Sequence, residues 1–379
     1  MNDKIRPIIK GKFLASDDES EGKKVIYADE SILKRTLGSA AEGRKVLESM
    51  DENSIRGSFI FLKQNLIKKK KEILEKTEEE IHLNKHILEE DFEFTLKLIE
   101  DATLISDDKI FLIRRVKNCA EYELFSTPDV LSLHGGFFPP FSWVTKFLVS
   151  ALVLRIPTIL FKSYFPFFFY RELCVSIIEA GFPDSAISFL PMRESLLPEK
   201  IISQRLPNIA FFVDGSSDSA IDKIFRSELP LWPRLIFASD EVLETIIERL
   251  KEFKPEIDLE LMIGKNKAEF ELFMENLKES GKILNESPLL VKNFYGKMPE
   301  SIPGFFLFNT TEPASLKGEI LSVFSVDNNL VKTIMKRARY NYMFVNKISY
   351  HFSSFTELEL TMKSLKRPRL CQIFSLNEE

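Results

Sequence analysis

From Leu131 to Val213, apolar runs of strand length alternate with apolar runs of helical length, an alternation that few architectures satisfy. Leu131–Phe137 is apolar and broken by glycine, and Pro140–Leu154 stays apolar over a helical length. Thr158–Phe161 is a β-branched and aromatic run that ends at Lys162. Pro166 then opens a helical segment, Phe167–Ala180, which Gly181 and Pro183 close, with proline at the start and glycine past the end. Ala186–Leu190 and Ile209–Val213 are two more strand-like runs, so the unit reads β-α-β-α-β. Connections of this kind give a parallel sheet with helices on both faces, and the expected fold class is α/β.

The flanking segments continue the alternation. Val25–Met50 reads as a strand remnant and a helix, and Ser54–Glu80 as a long helix with Ile55, Phe59, Leu62, Leu66, Ile73 and Leu74 near helical spacing. The run Lys68–Lys71 precedes Glu75 and Glu78–Glu80, a pattern of acids and bases that can pair on a solvated helix face. Phe92–Ile105 is a further amphipathic helix, followed by a strand-like Ile110–Arg114, and the prolines at 191, 198 and 207 mark a loop around a short helix. Helices are expected at 240–252, 266–280, 329–338 and 355–365. Strands are expected at Leu289–Lys292, Gly304–Phe308, Leu321–Val326, Tyr342–Val345 and Leu370–Phe374, making a second α/β domain.

Several function classes are excluded or disfavoured at this level. The 52 basic and 57 acidic residues are mixed along the chain and leave a net charge of −5, so no footprint for nucleic acid stands out. Lys146, Arg155 and Lys162 interrupt the Phe-rich stretch 137–169 well short of a membrane span, and the N-terminus lacks the apolar stretch of a secretory signal. Three cysteines, Cys119, Cys174 and Cys371, make neither a disulfide framework nor a metal-ligand spacing, which suits a reducing compartment; a cytoplasmic protein is expected. His82 and His86 have i,i+4 spacing, but no nearby cysteine or acidic motif completes a metal set, and a solvated face is the favoured reading. His134 and His351 join no serine or aspartate arrangement.

The stretch from Gly135 to Pro191, "GGFFPPFSWVTKFLVSALVLRIPTILFKSYFPFFFYRELCVSIIEAGFPDSAISFLP", resembles the cofactor-domain core of the aldehyde dehydrogenase superfamily. "FFVDGSSDSAI" at 211–221 is similar to that family's Gly-Ser-Thr turn, and "RLIFASDEVLETIIERLKEF", "GKNKAEFELFMENLKESGKIL", "PLLVKNF" and "LKGEILSVFSVDN" resemble successive blocks of its catalytic domain. The resemblance runs in order from about Ile8 to Phe374. It implies a Rossmann-type cofactor domain over residues 1–228, with an N-terminal hairpin and helices, and a smaller α/β catalytic-type domain over 229–379. By the same resemblance Lys162, Gly215 and Ser216 are the candidates for cofactor contact. Lys162 ends a strand, where a solvated lysine is the plain alternative, and Gly215-Ser216-Ser217 could hold a phosphate on backbone N–H groups or be an ordinary loop. Ala220 stands where the family has its second glycine.

Three chemical roles of the family are unoccupied. Its oxyanion-holding Asn is replaced by Phe137 or Phe138, and a phenyl ring cannot donate that hydrogen bond. Its general-base Glu and nucleophilic Cys have no counterpart, since no cysteine lies between Cys174 and Cys371, and the cofactor-ribose Glu falls near Ser315. Cys174 reads as core, Cys119 has no nearby His, and Cys371 follows Lys366-Arg367-Pro368-Arg369 on a terminal strand that does not match the nucleophile. No catalytic residue and no metal ligand is assigned. The expectation is a non-catalytic aldehyde dehydrogenase-like protein, a pseudoenzyme acting as a binding or partner subunit, with no cofactor expected and NAD(P) if any. The alternative is a diverged NAD(P)-dependent aldehyde or acyl-thioester oxidoreductase. The family's C-terminal tail, which joins a neighbouring subunit, has no counterpart after Phe374. An N-terminal hairpin over 8–27 would present a sheet edge, which Asp17, Asp18, Glu19 and Glu21 could blunt or a partner could cover, so self-association or a protein partner is expected.

Overall fold

The structure is a computed structural model. It describes residues 4–14, 25–81, 83, 85–105, 110–116, 119–136, 139–163, 165–198, 201–203, 209–214, 234–252, 267–280, 283–286, 289–292, 305–309, 317–346 and 353–374. The chain divides into two compact units, one made of Met1–Gln204 with Phe352–Glu379 and the other of Arg205–His351.

In the first unit a hairpin, β1 (Ile8–Ile9) and β2 (Lys12–Phe13), leads to three helices, α1 (Glu30–Ser49), α2 (Glu52–Ile81) and α3 (Lys85–Ala102). Asp29 starts α1 by accepting a hydrogen bond from the Ile32 N–H at 2.8 Å, and Asp51 does the same for the Ser54 N–H at 2.9 Å ahead of α2. Two antiparallel strands follow, β3 (Ile110–Val116) and β4 (Cys119–Ser126). The β-α repeat comes next: β5 (Leu131–His134), α4 (Ser142–Val153), β6 (Thr158–Lys162), α5 (Phe168–Glu179), β7 (Ile187–Pro191) and the two-residue β8 (Ile202–Ser203). Its sheet has the order β2-β1-β7-β6-β5-β8, with β7, β6, β5 and β8 parallel and β1 antiparallel to β7 through Ile8 and Phe189. β5, β6 and β7 are buried almost throughout, as parallel strands covered on both faces must be. The outer edge at β2 is only two residues long and both are exposed.

The second unit holds β9 (Ile209–Val213), β10 (Arg234–Ala238), α6 (Asp240–Glu252), α7 (Lys267–Glu279), β11 (Ile283–Glu286), β12 (Leu289–Lys292), β13 (Phe305–Asn309), β14 (Lys317–Phe324), α8 (Asn328–Arg337) and β15 (Arg339–Val345). Its sheet runs β11-β12-β13-β10-β9-β14-β15, parallel except for β11, around a core that includes Phe212, Phe306, Leu321, Val323 and Ile334. The chain then returns to the first unit through α9 (Ser354–Leu365) and β16 (Arg367–Phe374). α9 packs on α3 and α4, and the Lys146 ammonium meets the buried Glu357 carboxylate at 3.0 Å. β16 completes a three-stranded antiparallel sheet, β16-β4-β3.

The α/β class is as expected, and the division between units differs from the boundary at 228/229. Ile209–Val213 joins the second sheet, between β10 and β14, and does not close the β-α-β-α-β unit. Only residues 204–208 separate it from β8, and a parallel crossover needs about a dozen or more. At the other end 354–374 belong to the first unit, because periodicity reports that a segment is helix or strand and not which sheet receives it. The lysine run on α2 behaves as a charged surface. Lys69 pairs with Glu172 and Glu179, and Lys70 with Glu93. Among the described residues no helix is long and apolar enough to cross a membrane.

Candidate functional site at the strand ends of the first sheet

Open parallel sheets bind ligands outside the C-terminal ends of their strands, where the strand order reverses. In the first sheet that place is the end of β5, between β6 and β8, followed by the Gly135-Gly136 loop into α4. Lys162 ends the neighbouring β6 and is fully buried. Its ammonium donates to the Gly135 carbonyl at 2.9 Å and to the Gly136 carbonyl, and lies 4.7 Å from the centre of the Tyr170 ring. Burial pushes the ammonium well below the usual lysine range, and the charge of Glu80 opposes that shift. A Cβ on Gly135 would come within 1.9 Å of the Tyr170 hydroxyl oxygen, so only glycine lets this loop lie against α5. Met192 donates its N–H to the Lys162 carbonyl at 2.9 Å, and Tyr27 reaches the Ser163 carbonyl at 3.4 Å.

Both helices that begin at these strand ends are capped from a distance. Phe141 and Phe167 precede α4 and α5, and neither offers a side-chain cap. Asp91, buried on α3, accepts the Phe141 N–H at 2.8 Å and the Ser142 N–H at 3.3 Å. Glu80, in the last turn of α2, accepts the Phe167 N–H at 2.9 Å and the Phe168 N–H at 3.1 Å. Each carboxylate meets the positive end of a helix dipole and satisfies N–H groups that the helix leaves open. Burial raises the Glu80 pKa, while the Phe168 and Phe167 N–H bonds and the Lys162 charge act the other way. Between the two caps the rings of Phe92, Phe141, Phe169 and Tyr170 pack edge to face.

Of the sequence-derived candidates for cofactor contact, Lys162 alone lies among the described residues. Lys162 ends a strand of the first sheet; Gly215 and Ser216 lie outside the described residues, and Asp214, which precedes them, follows β9 of the second sheet. Phe137, Phe138, Ser217, Ala220, Ser315, His82 and His351 also lie outside the described residues. Cys174 is buried on α5, and burial raises its thiol pKa far above the usual range, which leaves it inert as a nucleophile. Cys119 and Cys371 are on β4 and β16, where Cys119 pairs with Phe374 and Cys371 with Tyr122. His86 lies 3.8 Å from Glu90 on α3.

Sequence reasoning passed over Asp91 and Glu80. The available signal was an acid on a face that helical spacing assigns to the interior. Asp91 sits between Leu88, Phe92 and Thr95, and Glu80 between Thr77 and Ile81.

No protein-family model and no curated protein sequence matches the chain. Solved structures do. A salicylaldehyde dehydrogenase from Pseudomonas putida G7 superposes with a TM-score of 0.79 at 9% identity, covering 99% of both chains. An NAD-dependent benzaldehyde dehydrogenase from Corynebacterium glutamicum gives 0.76 at 12% identity, over 97% of this chain and 96% of that one. A methylmalonate-semialdehyde dehydrogenase from Oceanimonas doudoroffii gives 0.74 at 12%, over 99% of both. Likeness at this identity is likeness of fold, and the chain has the fold of the aldehyde dehydrogenases.

Proposed function

We propose that this is a non-catalytic protein of the aldehyde dehydrogenase fold that acts as a binding or partner subunit. The observation that carries this reading is the state of Lys162, the residue that the resemblance assigns to a cofactor. Its ammonium is buried and bound to the Gly135 and Gly136 carbonyls. The surroundings agree with it. The described part of this strand end does not fit a dinucleotide, since both helix N-termini already carry carboxylates and Tyr170 lies against Gly135. Among the described residues the half-fold β5-α4-β6-α5-β7 is followed in its sheet by β8 alone, whereas a dinucleotide fold is built from two such halves. Covalent catalysis needs a nucleophile beside a base, and the buried Cys174 supplies none.

The second reading, a diverged NAD(P)-dependent oxidoreductase that uses Cys371 and keeps Lys162, Gly215 and Ser216 as cofactor contacts, is favoured by the full-length likeness to an NAD-dependent benzaldehyde dehydrogenase. One assay separates the two. Purified protein is incubated with NAD or NADP and a panel of aromatic and aliphatic aldehydes while the reduced cofactor is followed by absorbance. The expected result is no aldehyde-dependent reduction. Turnover that disappears in Cys371→Ala would overturn the non-catalytic reading.

A further inference from the structure

Three helix ends of the first unit meet at a cleft on the side opposite the strand ends. α2 begins there at Glu52, and α3 and α4 finish there at Ala102 and Val153. The cleft holds about 250 Å³ and opens to solvent. Ile55, Ala102 and Val153 give it an apolar floor, and Glu52, Arg56 and Arg155 give it a charged rim. Two guanidinium groups thus stand with one carboxylate, that of Glu52, which lies 3.5 Å from Arg56. Leu104, next in the chain to the lining residue Ile105, is 70% exposed, and Ile60, one turn along α2 from Arg56, is 52% exposed.

Arg155 occupies a position that the backbone reserves for glycine. α4 ends in a Schellman motif, with the Ile156 N–H bonded to the Ala151 carbonyl at 2.7 Å and the Arg155 N–H to the Leu152 carbonyl at 3.1 Å. The same motif ends α5, where the Phe182 and Gly181 N–H groups bond to the Ile177 and Ile178 carbonyls at 3.4 Å and 3.0 Å. Its left-handed residue after α5 is Gly181, with φ 96°, and after α4 it is Arg155, with φ 58°. A side chain in this region of φ costs free energy that glycine avoids.

We propose that this cleft docks a partner protein through a segment in which a carboxylate side chain stands beside apolar ones. The apolar side chains fill the floor and cover Leu104 and Ile60, and the carboxylate meets Arg56 and Arg155. Arginine around an apolar centre is the composition on which protein interfaces concentrate their binding energy. A strained backbone at Arg155 is then the cost of placing its guanidinium at the rim. This inference deepens the reading of the chain as a partner subunit and rests on it. The plain alternative is that Arg155 serves the carbonyl ends of α3 and α4, and it predicts the opposite effect on stability when the side chain is removed.

A library of random short peptides displayed on phage and selected on the full-length protein, with Arg155→Gly as the counter-target, tests the docking site. The expected result is enrichment of peptides that carry Asp or Glu flanked by Leu, Ile or Phe. A selected peptide should bind Arg155→Gly about tenfold more weakly than wild type. Arg155→Gly should at the same time unfold at an equal or higher urea midpoint, because glycine suits the backbone there. A lower midpoint would show that the arginine serves the helix ends, and the proposal would be wrong. It would be wrong too if no peptide is enriched over the counter-target, or if the enriched peptides lack an acid. Laurate that binds at the cleft where no peptide does would make it a site for a small amphiphile and overturn the protein partner. Should Arg155→Gly not fold, Arg56→Gln takes its place in the binding comparison, and unchanged affinity overturns the proposal. Aldehyde turnover bears on the proposed function and peptide selection on the cleft, so the two can fail separately.

Discussion

Lys162 shows what a single residue can carry in two readings at once. Its place at the end of a β-branched strand was legible, and so was the glycine pair 27 and 26 residues before it. That the ammonium would turn inward was not, because the groups that receive it lie on a loop whose path depends on Tyr170 of another helix. Lys162 and Glu80 together make a pH prediction with a definite sign. Lys162 has a folded pKa below its ordinary 10.5, so between the two values the unfolded chain holds the proton more tightly and stability rises with pH. Glu80 has a folded pKa above its ordinary 4.5, so its contribution is complete below that pH and is lost as pH rises through the folded value. Lys162→Met should therefore flatten the alkaline rise, and Glu80→Gln the decline on the acid side, in urea midpoints taken across pH. Lys162→Met removes the bonds to the Gly135 and Gly136 carbonyls and should destabilise the protein by about 1–3 kcal/mol. An alkaline rise of undiminished slope in Lys162→Met would show that another group causes it.

At the scale of elements, the helices were the most legible part of the chain and their starts the least. α2 announces itself through Ile55, Phe59, Leu62, Leu66 and Ile73 on one face, and Asp51 sits in sequence where its cap belongs. α4 and α5 have apolar sequences and a Phe where a cap would stand, and their caps come from 50 and 87 residues upstream. Local reading cannot see such a partner, because the contact exists only once α3 packs on α4 and α2 on α5. Asp91 thus joins two elements in one side chain, and its removal should be felt in both. Asp91→Ala strips two buried N–H groups of their acceptor and should destabilise the protein by about 2–3 kcal/mol, while Asp91→Asn, which keeps an acceptor oxygen, should recover most of that loss. Chemical denaturation of the three proteins checks it. Equal losses in the alanine and asparagine variants would mean that the charge on the helix dipole, and not the hydrogen bonds, is what α4 requires.

For the whole molecule, the alternation of strand and helix revealed the class of fold and left open how the strands are shared between sheets. β9 carries the same apolar signature, Ile209-Ala210-Phe211-Phe212-Val213, whichever sheet accepts it, and only the short link from β8 decides the matter. α9 and β16 are likewise ordinary amphipathic and apolar segments whose destination is fixed by Glu357 meeting Lys146 and by the register of Leu370 on Glu123. The consequence is that Arg205–His351 is one continuous stretch inserted into a unit built from both ends of the chain. That stretch contains its entire seven-stranded sheet and a core of its own, with Phe212, Phe306, Leu321 and Ile334 among the buried side chains. A segment that holds its own sheet and its own core meets the usual condition for a domain that folds alone. Residues 205–351 expressed by themselves should therefore give mixed α/β circular dichroism, dispersed amide resonances and one cooperative urea transition. The two remaining pieces, 1–204 and 352–379, should not behave so when separated, because α9 and the Lys146–Glu357 pair would be lost from α3 and α4. A collapsed spectrum without dispersion from 205–351 would mean that its sheet depends on the first unit, and the insertion would then be one of chain path only.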